Sequence, residues 1–94
     1  METVWKFPLG YKGGPRFEIK VPTGAVPLRV DFDPQGVLVL WARVESDADL
    51  VTAVVTVVGT GNPIPEGAGE YVSTFFSEPF VFHGFWAEVS DGQA

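Results

Sequence analysis

The sequence predicts an all-β protein: a small, single-domain antiparallel β-sandwich or partly open β-barrel of about seven short strands. Segments rich in Val, Thr and aromatic residues recur at a spacing of roughly 8–12 residues, which is typical of such folds. Turn-forming Pro and Gly residues separate these segments. No segment shows helical periodicity over more than one turn. Together these observations favour strands along the whole chain.

The first two predicted strands are short. Thr3–Phe7 is the first, and Pro8 closes it before a Gly-rich connection. Arg16–Val21 alternates charged and apolar side chains, the pattern of a strand with one buried face. The residues predicted to face the core from this second strand are Phe17, Ile19 and Val21.

A hairpin is predicted next. Val26–Phe32 also alternates, and Pro27 favours the edge of a sheet because proline cannot donate to a neighbouring strand. Asp33–Gly36 is a strong turn, with proline at its second position and an aspartate able to cap the loop. Val37–Val44 is apolar on both faces and is predicted to lie centrally. The inward residues of the first hairpin strand are predicted to be Leu28, Val30 and Phe32.

The later strands are rich in valine and aromatic residues. A strand runs from Leu50 to Gly59, and its β-branched residues are poor helix formers. One of its faces mixes Thr and Val, which suits loose packing, a pocket or a second subunit. A Pro/Gly loop leads to Tyr71–Ser77, and Phe80–Val89 closes the fold. Gly84 in this last strand predicts a bulge or a close approach by another backbone.

Length and composition bound the class of protein. The 94 residues predict one domain, residues 1–94, with a polar tail at Ser90–Ala94. Because there are no cysteines, disulfides, thiolate nucleophiles and cysteine-ligated metals are excluded. The first residues lack a signal-peptide profile, and the longest apolar run, Gly36–Ala42, is far shorter than the ~20 residues that cross a bilayer. We therefore expect a soluble, cytoplasmic protein with no membrane partner.

The net charge of −6 is unevenly distributed. Positions 1–43 hold all six basic residues and four acidic ones, whereas positions 44–94 hold eight acidic residues and no Lys or Arg. This asymmetry indicates a solubilising acidic surface, an acidic face for a basic partner, or charge-complementary self-association. Duplex nucleic acid is disfavoured because phosphate binding needs clustered cations.

His83 is the single histidine and the leading candidate for proton-transfer chemistry. It lies in the aromatic last strand. One interpretation is a general-base or ligand-contacting imidazole in an apolar pocket, and the other is a hydrogen-bonded structural or interface histidine. The three tryptophans are interpreted as core residues or as binding platforms, and Trp41 is kept as a candidate for ligand contact.

The sequence at positions 59–62, Gly-Thr-Gly-Asn, is similar to a phosphate-cradling loop, because glycines let backbone N–H groups approach an anion. It lacks the lysine and the following helix of a P-loop, so a strand-ending turn is the main interpretation. Asp47 and Asp49 have a calcium-loop spacing without the rest of that motif, so we expect no metal and no cofactor. No catalytic residue is assigned, and the candidate ligand-binding residues are Gly59, Thr60, Gly61, Asn62, His83 and Trp41.

Five short motifs occur in order along the chain. They are WKFPL from Trp5, LWA from Leu40, VGTGNPI from Val58, YVSTF from Tyr71 and FVFH from Phe80. This ordered set resembles a family of small bacteriophage proteins that carries only a domain-of-unknown-function label. The resemblance runs from Thr3 to about Phe85, and the chain departs from it by a longer Gly-rich segment after Leu9 and by Gly-Phe-Trp after His83. It implies a phage accessory protein inside an infected bacterium and brings no catalytic residue.

We therefore expect a non-catalytic, phage-type accessory protein that acts by binding. It would occlude a host factor or sequester a small, nucleotide-like ligand in an anti-defence role, and it would form a homo-oligomer through its apolar strand faces. The alternative is a structural virion or assembly protein, and a small hydrolase using His83 is less favoured. The expected position of a ligand pocket is where the Gly59–Ile64 corner approaches His83, between subunits.

Overall fold

A computed structural model of the chain describes residues 1–10 and 14–89 and confirms the all-β prediction. All regular secondary structure in the described residues is β-strand. The predicted strand bounds agree with the observed ones to within one residue. The strands are β1 (Glu2–Pro8), β2 (Arg16–Pro22), β3 (Val26–Phe32), β4 (Leu38–Glu45), β5 (Leu50–Gly59), β6 (Glu70–Ser77) and β7 (Phe80–Val89).

The strands form two antiparallel sheets. Their orders are β1-β4-β3 and β2-β5-β7-β6, so β4 is central, as its apolar faces predicted. The sheets pack against each other without closing into a barrel, which makes the sandwich the correct alternative. On one side of the sandwich, called the closed side below, β3 packs against β6. On the opposite side, called the open side, β1 and β2 are edge strands.

The core lies between the sheets and consists mainly of valines and aromatic residues. Leu40 and Val55 are fully buried on the inner faces of the central strands. Trp86 and Phe75 fill the space between the sheets from the four-stranded side. In β2, the predicted alternation is confirmed, with Phe17 buried and charged residues on the other face. Burial of these large side chains supplies most of the driving force for folding.

In β3, the prediction that Val30 faces the core is confirmed, and the same prediction for Leu28 is wrong. Val30 is fully buried, whereas Leu28 is 47% exposed. The pairing of β3 with β4 shifts register at Leu28, and such a bulge interrupts alternation. Phe32 is only partly inward: its ring meets Phe75 edge-on with 5.7 Å between centroids, but it stays 37% exposed at the strand end.

Gly84 allows the two sheets to approach closely. A Cβ at Gly84 would lie 2.9 Å from the Cβ of Val30 on the facing sheet, so no side chain fits there without movement. The register shift lies in the neighbouring strand, between Tyr71 and Ser73, with Ser73 paired to Gly84. The bulge is therefore in β6 instead of β7, and the close approach is made by a side chain rather than a backbone.

Two expectations concern the chain ends and the membrane. The polar tail predicted at Ser90–Ala94 lies outside the described residues. Within residues 1–10 and 14–89, no helix has the length and apolar character needed to cross a bilayer.

Candidate ligand-binding site

One end of the sandwich opens into a cavity between the sheets. Four strands end here and three begin, so the outermost core side chains form its walls. Its volume is about 780 Å³, within the range of roughly 300–1,000 Å³ that is typical of small-molecule pockets. The lining residues are Gly10, Gly14, Pro15, Phe17, Phe32, Gly36, Val37, Leu38, Val57, Gly59, Asn62, Phe75, Ser77 and Phe82.

Four phenylalanines make the wall of this cavity aromatic. Phe75 stacks on Phe82 with 5.7 Å between ring centroids, and Phe32 meets Phe75 edge-on. Because Phe75 is 1% exposed, the ring set is anchored in the core. None of the described lining residues is charged. The wall therefore suits a flat, apolar molecule.

A tight turn after β5 forms one rim of the cavity. The N–H of Asn62 donates to the carbonyl of Gly59 at 3.0 Å, and Gly61 at the third position has φ +92°. A type II turn needs positive φ at that position, which glycine adopts without strain. The Nδ2 atom of Asn62 lies 3.1 Å from the position that a Cβ on Gly59 would occupy, so the amide packs closely over this residue. Both glycines are thus explained by the turn.

The backbone of this turn is poorly suited to hold a phosphate. The N–H of Thr60 donates to the carbonyl of Val81 at 3.0 Å, and the N–H of Asn62 is used within the turn. An anion-binding loop needs such donors free and convergent. The geometry therefore favours the strand-ending turn over the phosphate loop.

A chain of hydrogen bonds crosses the outer face of the four-stranded sheet and holds this turn in place. His83 Nε2 lies 2.8 Å from Thr60 Oγ1, and His83 Nδ1 lies 3.0 Å from Thr74 Oγ1. The hydroxyl of Tyr71 is 2.7 Å from the same Thr74 oxygen. The β5–β7 and β6–β7 registers bring these side chains together, since His83 pairs with Val58 on one side and Thr74 on the other.

This hydrogen-bond chain has a defined direction. The hydroxyl of Thr60 donates to the carbonyl of Val81 at 3.2 Å, so it accepts from an N–H at His83 Nε2. In the neutral tautomer that carries this N–H, Nδ1 accepts from Thr74. Thr74 in turn accepts from the hydroxyl of Tyr71. The neutral imidazole therefore has both nitrogens satisfied.

The arrangement favours a structural interpretation of His83. A general base needs a lone pair directed at a substrate and usually a further group that orients the ring. Here threonine hydroxyls occupy both nitrogens, and no carboxylate of the described chain bonds the ring. The imidazole holds Thr60 in position and thereby stabilises the turn at the rim of the cavity.

The opposite rim is the turn between β3 and β4, which Asp33 holds. Its Oδ1 accepts from the N–H groups of Gln35 and Val37, each at 2.9 Å, and its Oδ2 accepts from Lys6 Nζ at 3.0 Å. The Val37 bond, with a smaller contribution from Lys6, holds the pKa of Asp33 below its ordinary value, although burial acts in the opposite direction. Both rims are therefore fixed by side-chain hydrogen bonds.

The structure unites some of the predicted site residues and separates others. Gly59 and Asn62 line the cavity, and with Thr60 they also line a second hollow of about 590 Å³ beside it. His83 meets Thr60 on the outer face beside the cavity. Trp41 lies on the outer face of the other sheet, because the residues before and after it in β4 belong to the core. Trp41 therefore shares no site with the other candidates.

The phenylalanine wall was missed by sequence analysis. Alternation predicted that Phe17 faces inward, but it cannot show which inward residues meet at one end of a sandwich. A signal was present: Phe17, Phe32, Phe75 and Phe82 all stand within two residues of a strand end. Aromatic residues near several strand ends therefore indicate the wall of a pocket.

A family comparison assigns the chain. Residues 1–93 match a domain of unknown function, DUF7352. The chain belongs to this family. Neither a curated protein nor a solved structure matches it. The DUF7352 assignment confirms that the chain belongs to a family of unknown function, so the site of this DUF7352 protein must be judged by its own geometry. In the described part of the chain, no group of three or more His, Cys, Asp or Glu residues could hold a metal ion.

Proposed function

We propose that this protein acts by binding, without catalysis, and that it holds a small, uncharged, largely apolar ligand in the cavity between its sheets. The cavity itself carries this proposal: about 780 Å³, walled by phenylalanines and open at one end of the sandwich. Pockets of this size with apolar walls and few polar groups are the usual sites of small molecules.

The lining indicates how such a ligand would sit. Its apolar body packs against the ring pair Phe75 and Phe82, which is anchored in the core. The side chains of Asn62 and Ser77 supply hydrogen-bonding groups in the lining. A ligand with a flat apolar body and one polar, uncharged end matches this distribution.

A nucleotide-like ligand is the competing occupant. Its base would stack on the phenylalanines, but its phosphates would meet no charged side chain among the described lining residues. The backbone donors of Thr60 and Asn62 are already used in the turn. Because an uncompensated phosphate is costly to desolvate, the uncharged ligand is favoured.

We further propose the wider role expected from the sequence: a phage accessory protein of the host cytoplasm that self-associates and either sequesters its ligand or occludes a host factor in an anti-defence role. The resemblance to small phage proteins supports this proposal, and the step from family to role is an analogy. A structural virion or assembly protein is the alternative. A hydrolase using His83 is less favoured, because threonine hydroxyls occupy both ring nitrogens.

Titration with N-phenyl-1-naphthylamine, an uncharged probe that fluoresces in apolar pockets, tests ligand binding. Val37→Trp places a large ring at the mouth of the cavity, and Val26→Trp is the matched control. These valines are 42% and 49% exposed, but only Val37 lines the cavity. We expect saturable binding to the natural protein and the control, and about tenfold or weaker binding to Val37→Trp. Equal binding by all three proteins, or no saturable binding, overturns the proposal.

Competition separates the two classes of ligand. AMP and ATP are added to the protein–probe complex, beside uncharged adenine and a neutral aromatic alcohol. We expect displacement by the uncharged compounds. Stronger displacement by ATP than by adenine assigns the pocket to nucleotide-like ligands instead.

A further inference from the structure

The outer edge of β1 carries backbone groups that no strand within residues 1–10 and 14–89 uses. The N–H of Leu9 donates to the carbonyl of Leu38, and the N–H of Ser46 donates to that of Met1, each at 3.0 Å. In an antiparallel pair these bonds recur at every second residue, so the odd-numbered residues of β1 direct their backbone toward β4. The residues that direct N–H and C=O away from the sheet are Glu2, Val4 and Lys6.

The two strands of the closed side offer no comparable edge. The N–H of Val30 donates to Ser73 Oγ, and the same hydroxyl donates to the carbonyl of Val30, both at 2.9 Å. The N–H of Phe32 donates to Asp31 Oδ1 at 2.7 Å. Both outward groups of Val30 and the N–H of Phe32 are thus satisfied by side chains, and β6 packs against β3. An added strand would have to displace these contacts.

The second edge of the open side is protected by charge. The N–H of Val57 donates to the carbonyl of Pro15 at 2.7 Å, which leaves the even-numbered residues of β2 facing outward. Those residues are Arg16, Glu18 and Lys20. Charged side chains along an edge are a common device against strand pairing. By contrast, the central outward residue of β1 is Val4, which is 53% exposed.

We propose that two copies of this protein pair through β1, antiparallel about a two-fold axis centred on Val4, so that their three-stranded sheets form one continuous sheet. This register sets Val4 opposite the second copy's Val4 and Glu2 opposite the second copy's Lys6. The outward residues then face one another in three pairs, one of Val4 with Val4 and two of Glu2 with Lys6, and each of these pairs exchanges two hydrogen bonds. On the inner face, Trp5, which is 39% exposed, lies opposite the second copy's Thr3.

Other registers satisfy the edge less well. Centring on Glu2 or on Lys6 sets like charges opposite each other, which destabilises a strand pair. Centring on Thr3 leaves Lys6 without a partner. Centring on Trp5 sets Glu2 opposite Pro8, which has no N–H to donate.

The side chains around this edge extend the charge complementarity. Within one chain, Glu2 pairs with Arg43 at 2.9 Å and Lys6 pairs with Asp33 at 3.0 Å. Placing Glu2 beside the second copy's Lys6 joins these pairs into a row of alternating charges on each side of the axis. Networks of this kind contribute more than isolated surface pairs. The row occurs twice, once on each side, as an isologous interface requires.

Sedimentation velocity on a matched pair of proline variants tests the edge. Val4→Pro removes an outward donor of β1, and Glu18→Pro removes an outward donor of β2, so neither substitution breaks a bond within its own sheet. We expect the natural protein and Glu18→Pro to sediment as dimers and Val4→Pro as a monomer with unchanged far-UV circular dichroism. This inference rests on the proposed self-association. A monomeric natural protein overturns both, whereas a dimer that survives Val4→Pro overturns the β1 interface alone.

A single introduced thiol tests the register. The chain has no cysteine, so Val4→Cys provides one unambiguous site. Facing residues of a hydrogen-bonded pair have Cα atoms about 5.5 Å apart, within the range that a disulfide spans. Under mild oxidation we expect a covalent dimer from Val4→Cys and none from Val26→Cys, a control of similar exposure on β3. Equal cross-linking of both variants, or of neither, contradicts the register. Binding of the fluorescent probe by Val4→Pro shows separately whether the cavity proposal stands.

Discussion

The two long sides of the sandwich differ in how the backbone groups of their edge strands are hydrogen-bonded. On the closed side, Ser73 reaches across from β6 and bonds both backbone groups of Val30, while Gly84 leaves room for the side chain of Val30. On the open side, β1 and β2 are edge strands that pair with no further strand in the part of the chain that the structure describes. The backbone groups of an edge strand can therefore be satisfied within the chain, by a side chain of the facing sheet, or remain available to a partner. Substitutions on the closed side should weaken folding, and substitutions on the open side should mainly change association.

The largest effect is expected for Ser73→Ala. It leaves the N–H and C=O of Val30 without partners in a fully buried position. Since each unpaired buried group costs about 1–3 kcal/mol, we expect the free energy of unfolding to fall by about 2–4 kcal/mol in urea titrations. Ser77→Ala is the control, because Ser77 is exposed in the same strand. Equal stability of the two variants would show that the closed side does not depend on this hydroxyl.

Gly84→Ala should weaken the same side by crowding. The new methyl group would meet Val30 at 2.9 Å, and overpacking of this kind costs about 1–3 kcal/mol. A double-mutant cycle with Val30→Ala checks the cause. We expect the double variant to lose less stability than the sum of the single losses. Additive losses would mean that Gly84 is required for another reason.

The ion pair of Lys6 with Asp33 connects β1 on the open side to the turn after β3. The pKa of Asp33 is held below its ordinary value of 3.8, first by the Val37 backbone bond and also by Lys6. The ionised carboxylate therefore stabilises the fold above that ordinary value, and this contribution is lost as the pH falls through the folded-state pKa. Urea midpoints of Asp33→Asn should depend less on pH in this acidic range than those of the natural protein. Asp49→Asn, at an exposed position, should retain the full dependence.

The smallest effect is expected on the edge of β2. Glu18→Ala removes a 3.6 Å ion pair with Arg16 in which both side chains are more than half exposed. Such pairs contribute little, so the free energy of unfolding should change by no more than about 0.5 kcal/mol. A larger loss would show that the open side also carries folding energy. It would remove the contrast between the two sides.

Most of the fold could be predicted from local pattern, and the exceptions have identifiable causes. Alternation located β2 and β3, and segments of β-branched and aromatic residues between turn signals located the other strands. Alternation failed at Leu28, where a bulge displaces the period for one residue. The bulge was expected in β7 at Gly84, but it lies in β6. A glycine indicates a close contact without showing which neighbouring residue makes it.

The candidate site could be predicted only in part. Thr60 and His83 were expected to approach each other, and the β5–β7 register brings them to 2.8 Å. Trp41 was expected with them and lies on the outer face of the other sheet. Composition showed that tryptophans and phenylalanines were plentiful but not which strand ends meet. The aromatic cavity wall therefore remained invisible until the sheets were assembled.

By itself, the sequence determined the strand class, the strand bounds, the turns and the family, because these depend on residues near one another along the chain. The tertiary structure alone decided the strand order, the closed and open sides and the cavity between the sheets. Those features depend on contacts between distant segments, such as Ser73 with Val30. Their free energy comes from packing and hydrogen bonding across the two sheets, which no local pattern records.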